Sequence, residues 1–96
     1  MAQHYLVRYA QQGEAALRET KRGEHIAYRK GLGGALVLAG PLLDDGDVSV
    51  GSVIIVAADN SADARRIAEN DPFVRAGLLE CITVEPMRIA AMIPPA

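Results

Sequence analysis

Hydrophobic and polar positions alternate over residues 3–9, with Tyr5, Val7 and Tyr9 on one side, and this period of two predicts a first strand. Gln11-Gln12-Gly13 ends it. Over residues 14–32 the period changes to that of a helix. Leu17, Lys21, His25, Tyr28 and Leu32 recur every three or four residues and share a face, which turns His25 inward or along the rim. Gly23 weakens the middle of that helix by about 1 kcal/mol relative to alanine, and Gly31, Gly33 and Gly34 supply its end. Residues 35–39 form a continuous apolar run expected as a buried second strand, stopping at Gly40-Pro41 because proline cannot donate to a central ladder. A polar connection over residues 42–50, with Asp44, Asp45, Gly46 and Asp47, leads to a third strand over residues 52–57 that is rich in β-branched side chains. The two strands are expected to form a hairpin with a long loop. Asp59, Asn60 or Ser61 caps a second helix that runs to about Asn70, with Ala64, Ile67 and Ala68 as its apolar side. Proline holds the residue before it extended, so Asp71-Pro72 closes this helix and carries the Asp71 carboxylate off its axis. A short helical turn through Ala76-Gly77 precedes a fourth strand over residues 79–86. Residues 87–96 are an apolar tail broken by Pro94-Pro95.

The order β-α-β-β-α-β predicts an α+β, ferredoxin-like domain, an antiparallel four-stranded sheet with two helices on one face. The second and third strands are apolar at consecutive positions, so both of their faces seek cover while the chain's helices cover only one. The economical cover for the other face is the same sheet of a second copy, packed face to face as a closed homodimer with two-fold symmetry.

Composition narrows the function classes. With 96 residues the chain is one domain. The net charge of -2 and the interleaving of Lys21-Arg22, Arg29-Lys30 and Arg65-Arg66 with acidic residues leave no stripe for nucleic acid. The single cysteine, Cys81, permits no internal disulfide and no multi-cysteine metal site, which suits a reducing compartment, and cytoplasm is the expected location. Neither a leader pattern nor an apolar run long enough to span a bilayer is present, so no membrane association is expected.

Two residues stand out chemically. A carboxylate bonded to one ring nitrogen of histidine selects the tautomer and raises the basicity of the other, so His25 and Asp71 are candidate partners in an acid–base dyad. The plainer alternative is a packed histidine and an aspartate that ends a helix. Ser52, after Gly51, offers a hydroxyl at a strand start, or is an ordinary turn serine. Gly31-Leu32-Gly33-Gly34 follows a helix and precedes a strand, the reverse of a phosphate-cradling loop. Asp44, Asp45 and Asp47 lack calcium-loop spacing, and Cys81 reads as a small apolar group within a strand. Two well-separated histidines and one cysteine leave no closed shell for zinc or iron, so neither metal nor cofactor is expected.

Taken in order, His25, Ala39-Gly40-Pro41-Leu42, Gly51-Ser52, Asp71-Pro72-Phe73 and Ala76-Gly77 resemble the YciI-like (YCII-related) family of small bacterial proteins, over roughly residues 4–88. The resemblance implies a ferredoxin-like fold, a dimeric α+β barrel, and a His–Asp pair in a cleft that falls on His25 and Asp71, with Ser52 near them. A related catabolic branch carries out elimination on hydroxylated chloroaromatics, and the fold is similar to that of muconolactone isomerases. By analogy, the expectation is a proton-transfer lyase or isomerase acting on a small organic molecule, aromatic or unsaturated. The alternative is a non-catalytic ligand-binding or interaction module of the same fold.

Overall fold

The computed structural model describes residues 3–93. Strand β1 (Gln3–Gln11) lies inside a four-stranded antiparallel sheet, flanked by β3 (Ser49–Ala58) and β4 (Leu79–Met87), with β2 (Leu36–Leu43) outside β3. The helices are α1 (Ala15–Gly31), α2 (Ser61–Glu69) and the single turn α3 (Pro72–Arg75), and a 3-10 turn, Gly33–Ala35, links α1 to β2. This is the ferredoxin-like βαββαβ arrangement.

Strand alternation sets the core. Tyr5, Val7 and Tyr9 of β1 and Ile54, Val56 and Ala58 of β3 are buried toward the helices, where they meet Ala64 and Ala68 of α2 and Leu79 of β4. Two alanines at helical spacing let α2 lie close on the sheet, and the Asn60 side chain caps it by accepting the Asp63 N–H at 2.8 Å. Helix α1 behaves differently. No residue on it is fully buried, and it rests on α3 rather than on the sheet. Leu17, expected on its inward face, is 41% exposed. The gap between α1 and the β2–β3 end of the sheet becomes the cavity described below.

Several boundaries move from their expected places. Strand β2 continues through Gly40-Pro41 to Leu43, with Pro41 opposite Ser52. It is an edge strand, where half of the backbone N–H groups have no ladder partner in any case, and proline is tolerated there. The long loop consequently shrinks to residues 44–48. Asp44 Oδ1 accepts the N–H groups of Gly46 at 2.8 Å and Val48 at 3.1 Å, so β3 starts at Ser49 instead of Ser52. Strands β1 and β4 run two residues and one residue longer than expected. The tail has no regular structure over residues 88–93, and Pro94-Pro95 lie outside the described residues.

Across the ladder, Leu38, Ile55, Leu6 and Glu85 align on the face away from the helices. Leu38 is 48% exposed there, and Leu6, Val53 and Ile55 are half-buried. The apolar part of this face follows β2, β3 and β1, while the Arg8–Glu85 ion pair at 3.7 Å marks its β4 side. No described helix is long and apolar enough to cross a membrane.

Candidate active site

Pro72 at the first position of α3 holds Asp71 extended (φ -60, ψ 131), so the aspartate caps α3 instead of continuing α2. The residue is 1% exposed, and its carboxylate accepts three hydrogen bonds. Oδ1 takes the Phe73 N–H at 2.9 Å and His25 Nδ1 at 2.7 Å, and Oδ2 takes Arg29 Nε at 3.0 Å. Burial by itself pushes this carboxyl up. The His25 hydrogen bond, the Phe73 N–H and the charges of His25 and Arg29 outweigh it, and the net shift is downward. Asp71 is therefore ionised near neutrality, and an ionised carboxylate only accepts, so His25 Nδ1 carries the proton. In the neutral form of the ring, Nε2 is then the nitrogen that bears the lone pair.

The His25 ring is fixed on a second side. It stacks on Phe73 with centroids 3.9 Å apart and planes 2° from parallel, and its side chain is 15% exposed. One short segment, Asp71 to Phe73, thus supplies both the charge that selects the tautomer and the surface that sets the ring plane. Arg29, one helical turn after His25, lies over the Tyr9 ring, 5.6 Å from its centroid, and its buried Nη2 has no hydrogen-bond partner among the described residues. Tyr9 donates to Ala68 O at 3.2 Å, and Tyr28 donates to Ile67 O at 2.7 Å, tying α1 to the last turn of α2. Burial pushes the Tyr9 phenol far up, against the opposing pull of Arg29, so it stays protonated.

These groups edge a cavity of about 470 Å³ between α1 and the sheet. His25, Arg29 and Phe73 form one side, and Pro41, Gly51 and Ser52 contribute to the other. Ser52 is buried on β3 and donates to Gly40 O at 3.3 Å. It shares the cavity with His25, but no hydrogen bond joins the two. Gly51 beside it has to remain glycine, because a Cβ there would run into Tyr9 O.

A family model described as YCII-related domain matches residues 2–88. The chain belongs to the YCII-related family. Among solved structures it is similar to 5-chloro-2-hydroxyhydroquinone dehydrochlorinase (TftG) from Burkholderia phenoliruptrix in complex with 2,5-dihydroxybenzoquinone, at 28% identity and a TM-score of 0.74, covering 88% of this chain and 93% of that one. A variant of SnoaB, a cofactor-independent oxygenase from Streptomyces nogalater, shares the fold at 18% identity and a TM-score of 0.50, covering 98% of both chains. No curated protein sequence gives a significant match.

Of the residues that sequence marked in this YCII-related chain, His25 and Asp71 are in direct contact and Ser52 faces the same cavity. Arg29 and Phe73 were not marked as site residues, although Phe73 stands in the Asp71-Pro72-Phe73 motif that carries the resemblance. Arg29 lies four residues after His25 on the same helical face, and Phe73 is two residues after the aspartate, so both spacings were visible. Lacking was any sign that the aspartate would accept a second cation. Cys81 packs half-buried on β4, where burial raises its thiol pKa against the opposing effect of Arg65, as befits an unreactive thiol. Among the described residues no three His, Cys, Asp or Glu side chains gather as a metal-binding group.

Proposed function

We propose that this protein is a cytoplasmic, homodimeric enzyme in which His25 and Asp71 move a proton on a small aromatic or unsaturated substrate, in lyase or isomerase chemistry. The observation that carries the reading is the 2.7 Å contact between His25 Nδ1 and a buried, ionised Asp71 at the wall of a cavity of about 470 Å³, a volume within the range of small-molecule sites. Asp71 holds the imidazole in the tautomer whose Nε2 can take a proton, and it balances the positive charge that appears on the ring when the proton arrives. In an isomerisation the imidazole returns that proton to a second atom of the substrate. In an elimination, the electron pair left behind expels a leaving group as its anion. The similarity to a dehydrochlorinase favours the elimination and points to hydroxylated, halogenated rings as the first compounds to try. The Ser52 hydroxyl offers a polar contact on the opposite wall, and Phe73 keeps the imidazole in plane.

Chloride release and absorbance changes on chlorinated hydroquinones, hydroxyquinones and unsaturated lactones test the reaction. For an active compound, His25→Ala, Asp71→Asn and the double variant should lose similar activity, about 10²- to 10⁴-fold, because members of one unit are not additive. Full activity in both folded single variants would sink the assignment. The proposed dimer buries the helix-free apolar row, and there the two neighbouring isoleucines of β3 separate the cases. Ile55→Lys should yield a folded monomer by sedimentation, whereas Ile54→Lys places a charge in the core and should unfold the chain. An Ile55→Lys protein that sediments like the parent would remove that interface.

A further inference from the structure

The chain as a whole is slightly acidic, yet its cavity is lined by cations. Arg18, Arg22 and Arg29 project from α1 into the lining alongside His25, and no Asp or Glu side chain lines it. On the sheet side the wall is built from groups such as Gln11, Pro41, Ser49, Ser52 and Leu79, none of them charged.

The three arginines are not equivalent. Arg29 is paired with Asp71 at 3.0 Å, so its charge is largely spent inside the protein. Arg22 has Glu19 at 3.3 Å, but both side chains are exposed, and such a pair is readily exchanged for another anion. Arg18 is half-buried and its polar contact is neutral, a bond from Nη1 to Gln12 O at 2.9 Å. That bond fixes the guanidinium, and no carboxylate among the described residues pairs with its charge. The fork of donors on arginine matches a delocalised oxyanion with two acceptor oxygens.

We infer that the cleft selects an anionic substrate, whose carboxylate or ionised enol oxygen binds Arg18 and Arg22 while its reacting atom lies at His25. This rests on the reading of the cleft as a substrate site and adds the class of molecule it takes. Helical rise puts Arg22 and Arg18 about 5 and 10 Å along the axis from His25, so a single substituted ring can reach from one end to the other. The uncharged sheet wall covers its faces. The exposed arginine charges also draw an anionic substrate toward the cleft at low ionic strength.

The test is binding of paired probes by calorimetry, in the parent, Arg18→Gln, Arg22→Gln and His25→Ala proteins. One pair is p-hydroxybenzoate and p-hydroxybenzamide, and the other is dihydroxybenzoquinone, ionised through its enol oxygens, and its neutral dimethyl ether. The parent should prefer the anionic member of at least one pair by about tenfold or more, and the pair that shows the larger preference identifies carboxylate or enolate as the group recognised. Arg18→Gln should remove most of that preference, Arg22→Gln part of it, and His25→Ala little. Raising the salt from about 0.02 to 0.5 M should narrow it, since screening shortens the reach of the exposed charge. If Arg18→Gln fails to fold, Arg22→Gln and the salt series decide. Equal affinities within both pairs, a preference that survives both arginine variants, or no binding by any of the four probes at millimolar concentration would each overturn the inference. Its fate is separable from that of the proton-transfer assignment. No anion preference in the parent with His25 variants inactive fells the arginines alone, whereas a preference that depends on the arginines with active His25 variants fells the dyad alone.

Discussion

The two long helices cover the same sheet but are held by different forces. Helix α2 is capped by a side chain and presses Ala64 and Ala68, both fully buried, onto β1 and β3. Helix α1 has no side-chain cap, no fully buried residue and a glycine in its middle. Apart from the His25 stack on Phe73 and Arg29 over the Tyr9 ring, its fastenings are polar. Tyr28 reaches Ile67 O, Arg18 reaches Gln12 O, and His25 and Arg29 converge on Asp71. One half of the helical layer is thus a core and the other a lid over a cavity, and the groups proposed for chemistry also attach the lid. In such a half, a substitution at the site tests stability and function together, whereas in the α2 half it tests stability alone.

The largest effect should come from the residue that joins the halves. Asp71→Ala removes the charge partner of a mostly buried Arg29, the bond that holds His25 and the cap of α3, and should cost about 3–5 kcal/mol in urea denaturation. His25→Ala leaves the Arg29–Asp71 pair and the cap in place, so it should cost distinctly less stability while losing any activity just as fully. Equal stability losses would mean that α1 is held mainly by the histidine. The pH dependence follows from the same carboxylate. Its folded pKa lies below the ordinary value of 3.8, so its contribution is fully present above that value and is lost as pH falls through the lower, folded one. The stability gap between the parent and Asp71→Asn should therefore be present at neutrality and close as pH falls below about 4. A gap that widens below about pH 4 would reverse the sign argued here.

On the core side, Ala68→Leu should cost about 1–3 kcal/mol by overpacking α2 against the sheet. The matched change on the lid is Leu17→Ala, at a position 41% exposed, and it should stay within about 0.5 kcal/mol. Thermal or urea midpoints of the two variants give the comparison directly. Similar costs would show that α1 is packed as tightly as α2.

The same contrast explains what could be read from the sequence. The α2 half was legible because it obeys one rule at a time. Alternation in β1, small residues at helical spacing in α2 and Asp71-Pro72 at its end each pointed to what the structure shows. The His25–Asp71 contact joins residues 46 apart in the chain, and family resemblance, more than periodicity, brought them together. Arg29 was read with Lys30 as part of an interleaved charge pattern because cations on a helix are ordinarily solvated, and only the fold puts it over Tyr9 with a carboxylate beside it. The ends of β2 and β3 were misplaced for a related reason. Whether Pro41 ends a strand depends on whether that strand is central or at an edge, and strand order is set by the whole sheet.

The smallest effect is also the most direct probe of the lid. A Cβ added at Gly23 would meet nothing within 4 Å, so Gly23→Ala changes no packing and acts through helix propensity and the freedom of the unfolded chain. In α1 that should amount to about 1 kcal/mol of stabilisation, which would register only in part if the helix frayed independently of the rest. Amide hydrogen exchange separates these cases. In the parent, α1 amides should exchange faster than those of α2, because local opening of α1 breaks polar contacts and exposes little apolar surface. In Gly23→Ala their protection should rise while that of α2 changes little. If instead protection rises equally in both helices, α1 opens only when the whole domain unfolds, and the division into a packed half and a lid is wrong.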